Sequence, residues 1–254
     1  MFIPLWVHEG GPEALVERLR DHEARKRIKR EMIEPGLVPG YQSYVRDLGG
    51  AECWDRIMIC ECSSEKNKGL AGKSIQEAKP DWQDPFEFVF DLLIEEKGDV
   101  PVVIPIAVQI DDTYLQMVLR HPVTMVGSDG YALAPYGVLG EGKPHPRSYG
   151  AFPRFLGRYV REKRLCTWQE AVRKMTSLPA DFLGLKDRGR IKEGMAADIV
   201  IFNPETVIDR ATFSDPHQYP KRIEYVITNG TIVIQQEKHT GALSGKILRH
   251  SRAN

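Results

Sequence analysis

Only three short apolar runs in the first half of this chain are typical of β-strands that alternate with helices. They are WDRIMICECS (54–63), VPVVIPIAVQ (100–109) and VTMVGS (123–128). Strands separated by helical segments indicate parallel βα units. A complete βα barrel needs eight such strands in about 250 residues, and this chain of 254 residues offers far fewer. The sequence therefore predicts an α/β protein that contains the last part of a barrel.

Helical patterns separate and follow these runs. We predict helices over 11–32, 84–98, 111–121, 152–164 and 167–185. Leu15, Leu19 and Ile28 lie at roughly helical spacing among many charges, which predicts a surface helix for the first segment. An Asp cap opens the third, and Thr167 and Glu170 form a capping box for the last.

The character of the chain changes at about residue 190. ADIVIFNPE (197–205) and IEYVITNGTIVIQQ (223–236) are predicted strands. Asn229-Gly230 interrupts the second run, and this dipeptide is a strong hairpin signal. The C-terminal part of the chain is therefore predicted to be β structure.

Composition argues against several classes of partner and location. Lys plus Arg and Asp plus Glu both number 35, so no net field draws the chain to nucleic acid or to an anionic membrane. Four cysteines without a C-x-x-C pair do not form a disulfide scaffold and favour a reducing, cytoplasmic setting. The first residues lack the features of a signal peptide, and no apolar run has transmembrane length.

Two motifs that suggest ligand chemistry have simpler explanations. Gly72-Lys73-Ser74 matches the end of a phosphate-binding loop, but Asn67 occupies the position where that motif needs its first glycine. Cys60 and Cys62 point to the same side of a strand, yet no nearby histidine or cysteine completes a zinc site. We therefore expect no nucleotide site here and assign both cysteines to the core.

The seven histidines contain no His-x-His or His-Glu-x-x-His pattern, so the chain has no self-sufficient zinc motif. His145, between two prolines in the loop that follows Asp129, is the histidine expected near a site.

Asp129 and Arg147 are the candidate site residues. Asp129 ends the apolar run MVGSDG (125–130), and carboxylates at strand ends face ligand sites in α/β folds. The alternative is an Asp that only forms a turn. Arg147 follows in a proline-framed loop, where its planar guanidinium could bind a carboxylate in bidentate fashion or could simply face solvent.

Several segments resemble the C-terminal part of the N-acyl-D-amino-acid deacylases (D-aminoacylases) of the amidohydrolase superfamily. They are MVGSDG, PHPRSYGAFPRFLGRYVRE, EAVRKMTSLPADFLGLKDRGRIKEGMAADIVIFNPETV, DPHQYP, YVITNG and TGALSGKILR. The resemblance implies a metal-dependent (β/α)8 barrel followed by a small β-sandwich. On that basis we expect residues 1–190 to form the C-terminal part of the barrel and residues 191–254 a portion of the sandwich.

The resemblance also gives roles to the two candidate residues. It implies that Asp129 is a zinc-site residue and proton shuttle, and that Arg147 binds the substrate carboxylate. It places the family's His-x-His, its bridging cysteine and its other metal histidines before the segment that starts here. One aspartate cannot hold a catalytic zinc, which needs about three protein ligands. We therefore expect the chain alone to bind no zinc and to be inactive.

The expected function is hydrolysis of the amide bond of a small N-acyl-D-amino acid, with zinc as cofactor and a complementary N-terminal segment or subunit as a further partner. Three alternatives stay open at this point: an inactive truncated gene product, one subunit of a split enzyme, and a non-catalytic binding module.

Overall fold

A computed structural model describes residues 3–41, 43–98, 103–105 and 112–249. The chain divides into two compact units. Unit 1 contains Met1–Ile110, Tyr136–His145 and Phe213–Asp215. Unit 2 contains Asp111–Pro135, Pro146–Thr212 and Pro216–Asn254.

Unit 1 is mainly helical. Its α-helices are α1 (Gly11–Arg20), α2 (His22–Ile33), α3 (Tyr44–Asp47), α4 (Ile75–Ala78) and α5 (Pro85–Glu95). Short 3₁₀ turns occupy Leu5–His8, Gly50–Glu52, Lys68–Leu70 and Gly137–Gly140. Two strands, β1 (Ile57–Ile59) and β2 (Val103–Pro105), pair with each other.

The predicted helix over 11–32 is two helices rather than one. Asp21 has an extended backbone (φ −81°, ψ 123°) and its carboxylate accepts the Ala24 N–H, so it caps α2 and ends the continuity with α1. Leu15, Leu19 and Ile28 are buried in the core of unit 1, while most charged residues of the two helices are exposed, as expected of helices at a surface. The capping interaction of Asp21 therefore separates the two helices, although the helical spacing of apolar residues continues through it.

Helix α5 confirms the prediction for residues 84–98. The Asp84 carboxylate accepts the Phe86 N–H at 3.0 Å and the Glu87 N–H at 3.3 Å, while Pro85 occupies the first helical position. Phe86 and Phe90 are fully buried and join α5 to the core that also holds Leu15 and Leu19.

The prediction of parallel strands is wrong for the described part of unit 1. Ile57, Met58 and Ile59 pair antiparallel with Pro105, Ile104 and Val103. Of the predicted strand over 54–63, only β1 is a strand. The second predicted strand covers 100–109, and its residues 100–102 and 106–109 lie outside the described residues. Pairing direction depends on the path of the chain between two strands, which the pattern of each strand does not encode.

Residues 72–74 lie along the other edge of β1. The Gly72 N–H donates to the Ile59 carbonyl, the Ile59 N–H donates to the Lys73 carbonyl, and Met58 forms an antiparallel bridge with Ser74. Ser74 and Glu77 then form a complete capping box at the start of α4. The residues that suggested a phosphate loop thus have a structural role.

Unit 2 combines helices with an antiparallel sheet. Its helices are α6 (Asp112–Arg120), α7 (Arg147–Arg154), a π-helical continuation (Phe155–Glu162), α8 (Trp168–Met175) and α9 (Ser177–Phe182). The strands are β3 (Ile199–Phe202), β4 (Ile223–Thr228), β5 (Thr231–Gln235) and β6 (Lys238–His239), in that order across the sheet.

The predicted helices of unit 2 are present in the structure, but they begin, end or break at other residues than predicted. The helix predicted over 152–164 begins at Arg147 and changes to π-type hydrogen bonding after Pro153, which has no N–H to donate. The helix predicted over 167–185 breaks at Thr176, because Pro179 can neither bond nor fit against the carbonyl four residues earlier. The Asp cap predicted for α6 lies at Asp111, outside the described residues.

The predicted C-terminal strands and hairpin are confirmed. Asn229 and Gly230 join β4 to β5 with φ angles of 48° and 81°, the left-handed conformations that a tight two-residue hairpin requires. A second hydrophobic core, formed by Phe155, Leu156, Val160 and neighbouring residues, includes Val207 from the segment that precedes β4.

The predicted strand VTMVGS is not a strand in the described residues. Its Val126 N–H donates to the Lys174 carbonyl rather than to a neighbouring strand, and its residues are half-buried or exposed. An extended segment becomes a β-strand only when a second strand supplies its hydrogen-bond partners.

The assignment of Cys60 and Cys62 to the core is confirmed. Both are buried and form no disulfide, and burial raises the pKa of the Cys62 thiol to about 11. Among the helices that the structure describes, none combines the length and apolar character needed to cross a membrane.

Candidate functional site

Asp129 and Arg147 meet in unit 2. A guanidinium nitrogen of Arg147 lies 2.9 Å from a carboxylate oxygen of Asp129. The Asp129 side chain is 85% exposed and that of Arg147 is 40% exposed. An ion pair this open contributes at most about 1 kcal/mol to stability, so it adds little to holding the fold together.

The backbone turns sharply at Asp129. Its φ angle of 50° is left-handed, which aspartate tolerates better than most residues. The Gly130 N–H donates to Ser128 Oγ at 3.2 Å. The Asp129 side chain therefore projects from a turn, as the turn interpretation of this residue expects.

The turn is docked onto the first residues of α7. The Tyr131 N–H donates to Ser148 Oγ at 3.2 Å. A Cβ on Gly130 would lie 2.8 Å from the Ser148 Cα, so only glycine fits at that approach. Because Ser148 is adjacent to Arg147, this contact fixes the spacing between the carboxylate and the guanidinium.

Helix α7 is itself anchored within unit 2. The Tyr149 hydroxyl and His217 Nδ1 are 2.8 Å apart, and burial raises the pKa of Tyr149. Arg154 donates to the largely buried Asp209 carboxylate at 3.0 Å. Both contacts hold the helix that presents Arg147.

A further set of contacts lies upstream of Asp129. Lys174 on α8 is fully buried, and its ammonium donates to the carbonyls of His121 and Thr124. Sequence reasoning did not identify Lys174. Its burial is known only from the structure, because Glu170 and Arg173 beside it on α8 make that part of the helix polar in the sequence.

His145, the histidine expected near the site, belongs to unit 1. Its ring packs edge-on against Phe213 with the ring centroids 5.0 Å apart. His145 therefore packs within unit 1, whereas Asp129 and Arg147 belong to unit 2.

The described residues do not form a zinc site by themselves. No group of three or more His, Cys, Asp or Glu side chains suited to a metal ion occurs among them. The carboxylate of Asp129 is paired with a guanidinium, which competes with a cation for the same oxygen atoms.

An apolar groove of about 730 Å³ lies elsewhere in unit 2. Phe152, Leu156 and Met175 line one side, and Val200, Val226 and Ile234 line another. Neither Asp129 nor Arg147 contributes to its lining. The groove is therefore separate from the charged pair.

Sequence comparison connects this chain with hydrolases. The profile of the Amidohydrolase family matches residues 77–234. An N-acyl-D-glutamate deacylase from Alcaligenes xylosoxydans xylosoxydans is 44% identical over 139 residues, which are 55% of this chain and 27% of the relative. A D-aminoacylase from the same organism is 41% identical over 143 residues, which are 56% of this chain and 28% of the relative.

Solved structures agree with this relationship. The N-acyl-D-glutamate deacylase of Bordetella bronchiseptica, complexed with zinc and a phosphonate inhibitor, matches with a TM-score of 0.58 and 33% identity over 74% of this chain and 36% of its own. A D-aminoacylase matches with a TM-score of 0.60 and 32% identity over 75% of this chain and 37% of its own.

These matches confirm the expected resemblance to part of the D-aminoacylases. The chain spans roughly a quarter of the length of the curated relatives, with 27% and 28% of their residues matched. The family profile covers more than half of the chain, from residue 77 to residue 234. The chain belongs to the amidohydrolase family.

Proposed function

We propose that this chain supplies the proton-transfer and carboxylate-binding part of a hydrolase that cleaves N-acyl-D-amino acids to a carboxylate and a free D-amino acid. The observation that carries the proposal is the 2.9 Å approach of Arg147 to Asp129 on anchored segments of unit 2. The relatives named as deacylases of N-acyl-D-glutamate and N-acyl-D-aspartate, 44% and 39% identical, support the substrate class.

Arg147 is proposed to bind the α-carboxylate of the substrate. Its guanidinium already faces an exposed carboxylate, so the site has the charge and access that a second carboxylate would need. A guanidinium can hold a carboxylate through two parallel hydrogen bonds, which fixes its orientation as well as its position. Holding the α-carboxylate in this way would also fix the handedness of the amino acid that is accepted.

Asp129 is proposed to transfer the proton during hydrolysis. Water adds to the amide carbonyl carbon, the carbon–nitrogen bond breaks, and the proton released by the water passes through the Asp129 carboxylate to the leaving nitrogen. Positioned groups of this kind accelerate reactions by about 10² to 10⁴. The exposure of the Asp129 side chain leaves its oxygens accessible to substrate and water.

Zinc is the proposed metal of the complete site, because a solved relative is complexed with zinc. We propose Asp129 as one of its ligands, and the remaining ligands would come from outside the described residues. The division into a barrel part (1–190) and a sandwich part (191–254) also stays a prediction, as does the need for a complementary N-terminal segment.

The direct test measures zinc content and hydrolysis of N-acetyl-D-amino acids by the 254-residue chain, alone and with an N-terminal segment that carries the missing ligands. We expect zinc binding and turnover only in the mixture. Turnover by the chain alone would overturn the expectation that it lacks a metal site, and His145 would be the first residue to replace in search of the ligands.

In the active mixture, Asp129→Asn should lower kcat by about 10² or more because it removes the proton carrier. Asp181→Asn, which alters an exposed aspartate paired with Arg190, is the control. Near wild-type turnover by Asp129→Asn would refute the role of Asp129.

Arg147→Lys should raise KM for the N-acyl amino acid much more than for the matching N-acyl amino acid amide, since a point charge cannot reproduce the bidentate contact. Arg154→Lys, on the same helix, should show no such preference because Arg154 pairs with Asp209. An equal penalty on acid and amide would exclude carboxylate binding by Arg147.

A further inference from the structure

The ammonium of Lys174 is fully buried in unit 2. It contacts a segment of the chain that leads to the candidate site. It donates to the carbonyls of His121 and Thr124, the latter at 3.2 Å, and lies 3.7 Å from the Glu170 carboxylate. Burying an ammonium is expensive unless hydrogen bonds and a counter-charge satisfy it. The contacts therefore tie residues 121–124 closely to α8.

Two further bonds join the same segment to the same turn of α8. Arg173 donates to the Pro122 carbonyl at 2.5 Å, and the Val126 N–H donates to the Lys174 carbonyl at 3.2 Å. Residues 121–126 thus follow the end of α6 along a path that α8 determines. This segment has no strand partner among the described residues, so these bonds take the place of a sheet.

The segment ends three residues before Asp129. On the other side of Asp129, Gly130 and Tyr131 dock against Ser148. Asp129 is therefore held between two anchors, one on α8 and one on α7. The α7 anchor also carries Arg147, and the α8 anchor holds the other end of the short segment that bears the carboxylate.

We infer that Lys174 is a positioning residue for Asp129: its buried ammonium fixes the path of residues 121–126 and so places the carboxylate beside Arg147. The structural half of this inference stands by itself, and the catalytic half rests on the proposed function. Without the ammonium, two carbonyls lose their charged donor and the segment can move away from α8. A displacement of about 1 Å at a catalytic group can lower the rate by about 10²-fold.

Amide hydrogen exchange in the 254-residue chain tests the structural half. Lys174→Met keeps most of the length of the side chain and removes the charge. It should speed exchange of the Val126 amide by about tenfold or more, since bonds to charged groups are the stronger ones, while the Val226 amide in β4 keeps its rate. The control is Lys163→Met, which removes a lysine paired with Asp112 at the opposite end of α6.

Unchanged exchange at Val126 in Lys174→Met, or equal acceleration in the Lys163→Met control, overturns the inference whatever the activity of the protein. If Lys174→Met does not fold, Lys174→Gln replaces it. Gln removes the charge but keeps a neutral donor, so a smaller but selective acceleration at Val126 is expected. An unchanged Val126 rate in that variant overturns the inference as well.

Kinetics test the catalytic half in any preparation that hydrolyses N-acyl-D-amino acids. Lys174→Met should lower kcat by about 10-fold to 100-fold and leave KM within about twofold, because Arg147 keeps its anchor on α7. The loss should vanish when Asp129→Asn is already present. An equal loss in that background shows that Lys174 does not act through Asp129. High activity of Asp129→Asn alone would instead refute the proposed function and leave the exchange result intact.

Discussion

Glu96, the residue that follows the last residue of α5, should be a major determinant of the stability of unit 1. Its residue surface is only 4% exposed, and its carboxylate accepts four hydrogen bonds. The donors are the N–H groups of Ser63 (2.7 Å) and Ser64 (3.0 Å), the Ser64 hydroxyl, and the Asn67 amide (2.8 Å). These bonds fix the loop that follows β1 against the end of α5.

Glu96→Gln retains the shape of the side chain but places an amide NH₂ where a carboxylate oxygen accepts bonds. About two of the four bonds then become contacts between donors. A hydrogen bond to a charged group contributes about 1.5–3 kcal/mol, so the loss of two should lower the free energy of unfolding by about 3–6 kcal/mol. With a urea m-value of about 2 kcal/mol per M, the midpoint should fall by roughly 1.5–3 M.

Urea titration followed by tryptophan fluorescence measures this change, because Trp54 is buried against Phe86 in the same core. The matched control is Glu95→Gln. Glu95 binds the exposed Lys66 and also Asn67, and such surface pairs contribute at most about 1 kcal/mol. Equal midpoints for the two variants would refute the argument from burial.

The pH dependence gives a second check. Burial alone would raise the pKa of Glu96, but hydrogen bonds from Ser64 and Asn67 outweigh it, so the pKa lies below the ordinary value. A depressed carboxyl pKa stabilises the fold above the unfolded pKa of about 4.3, and the stabilisation is lost as the pH falls through the folded pKa. The difference between wild type and Glu96→Gln should therefore shrink below about pH 5. A difference that stays constant down to pH 3 would contradict this assignment.

Two further substitutions test the packing of unit 2. Gly157→Ala would place a Cβ 2.6 Å from both the Val207 carbonyl oxygen and Ile208 Cδ1, so thermal unfolding should show a loss of about 1–3 kcal/mol; Gly245→Ala, with open space around it, is the control and should be nearly neutral. Asn229→Ala should be less stable than Asn229→Gly by about 1 kcal/mol or more, because the φ angle of 48° disfavours a Cβ. The reverse order in urea titrations would argue against the left-handed turn.

Local signals in the sequence predicted the elements whose boundaries are set locally. Asp84 and Pro85 determine the start of α5, and Asn229-Gly230 determines the β4–β5 hairpin, so each is correct in type and place. The break at Asp21 was missed although the same kind of capping signal is present there. The helical spacing of apolar residues continues on both sides of Asp21, which suggests a single helix.

Strand pairing was predicted poorly because it depends on distant parts of the chain. β1 and β2 are more than forty residues apart in the sequence. They pair antiparallel, with Ile57 opposite Pro105 at one end. The apolar pattern of each run would be the same in either direction. For residues 123–128 the pattern was apolar enough for a strand, but the hydrogen-bond partner of Val126 is α8, which no property of the run itself indicates.

The meeting of Asp129 with Arg147 depends on residues that have no reactive chemistry. Gly130 permits the backbone to approach Ser148, and Lys174 holds the segment that leads to the turn. Neither the carboxylate nor the guanidinium is buried, so neither can fix its own position through packing. A sequence motif that contains only Asp129 and Arg147 therefore indicates the two charged groups, but not the contacts that bring them together. The geometry lies in a glycine without room for a side chain and in a lysine whose ammonium is buried on α8.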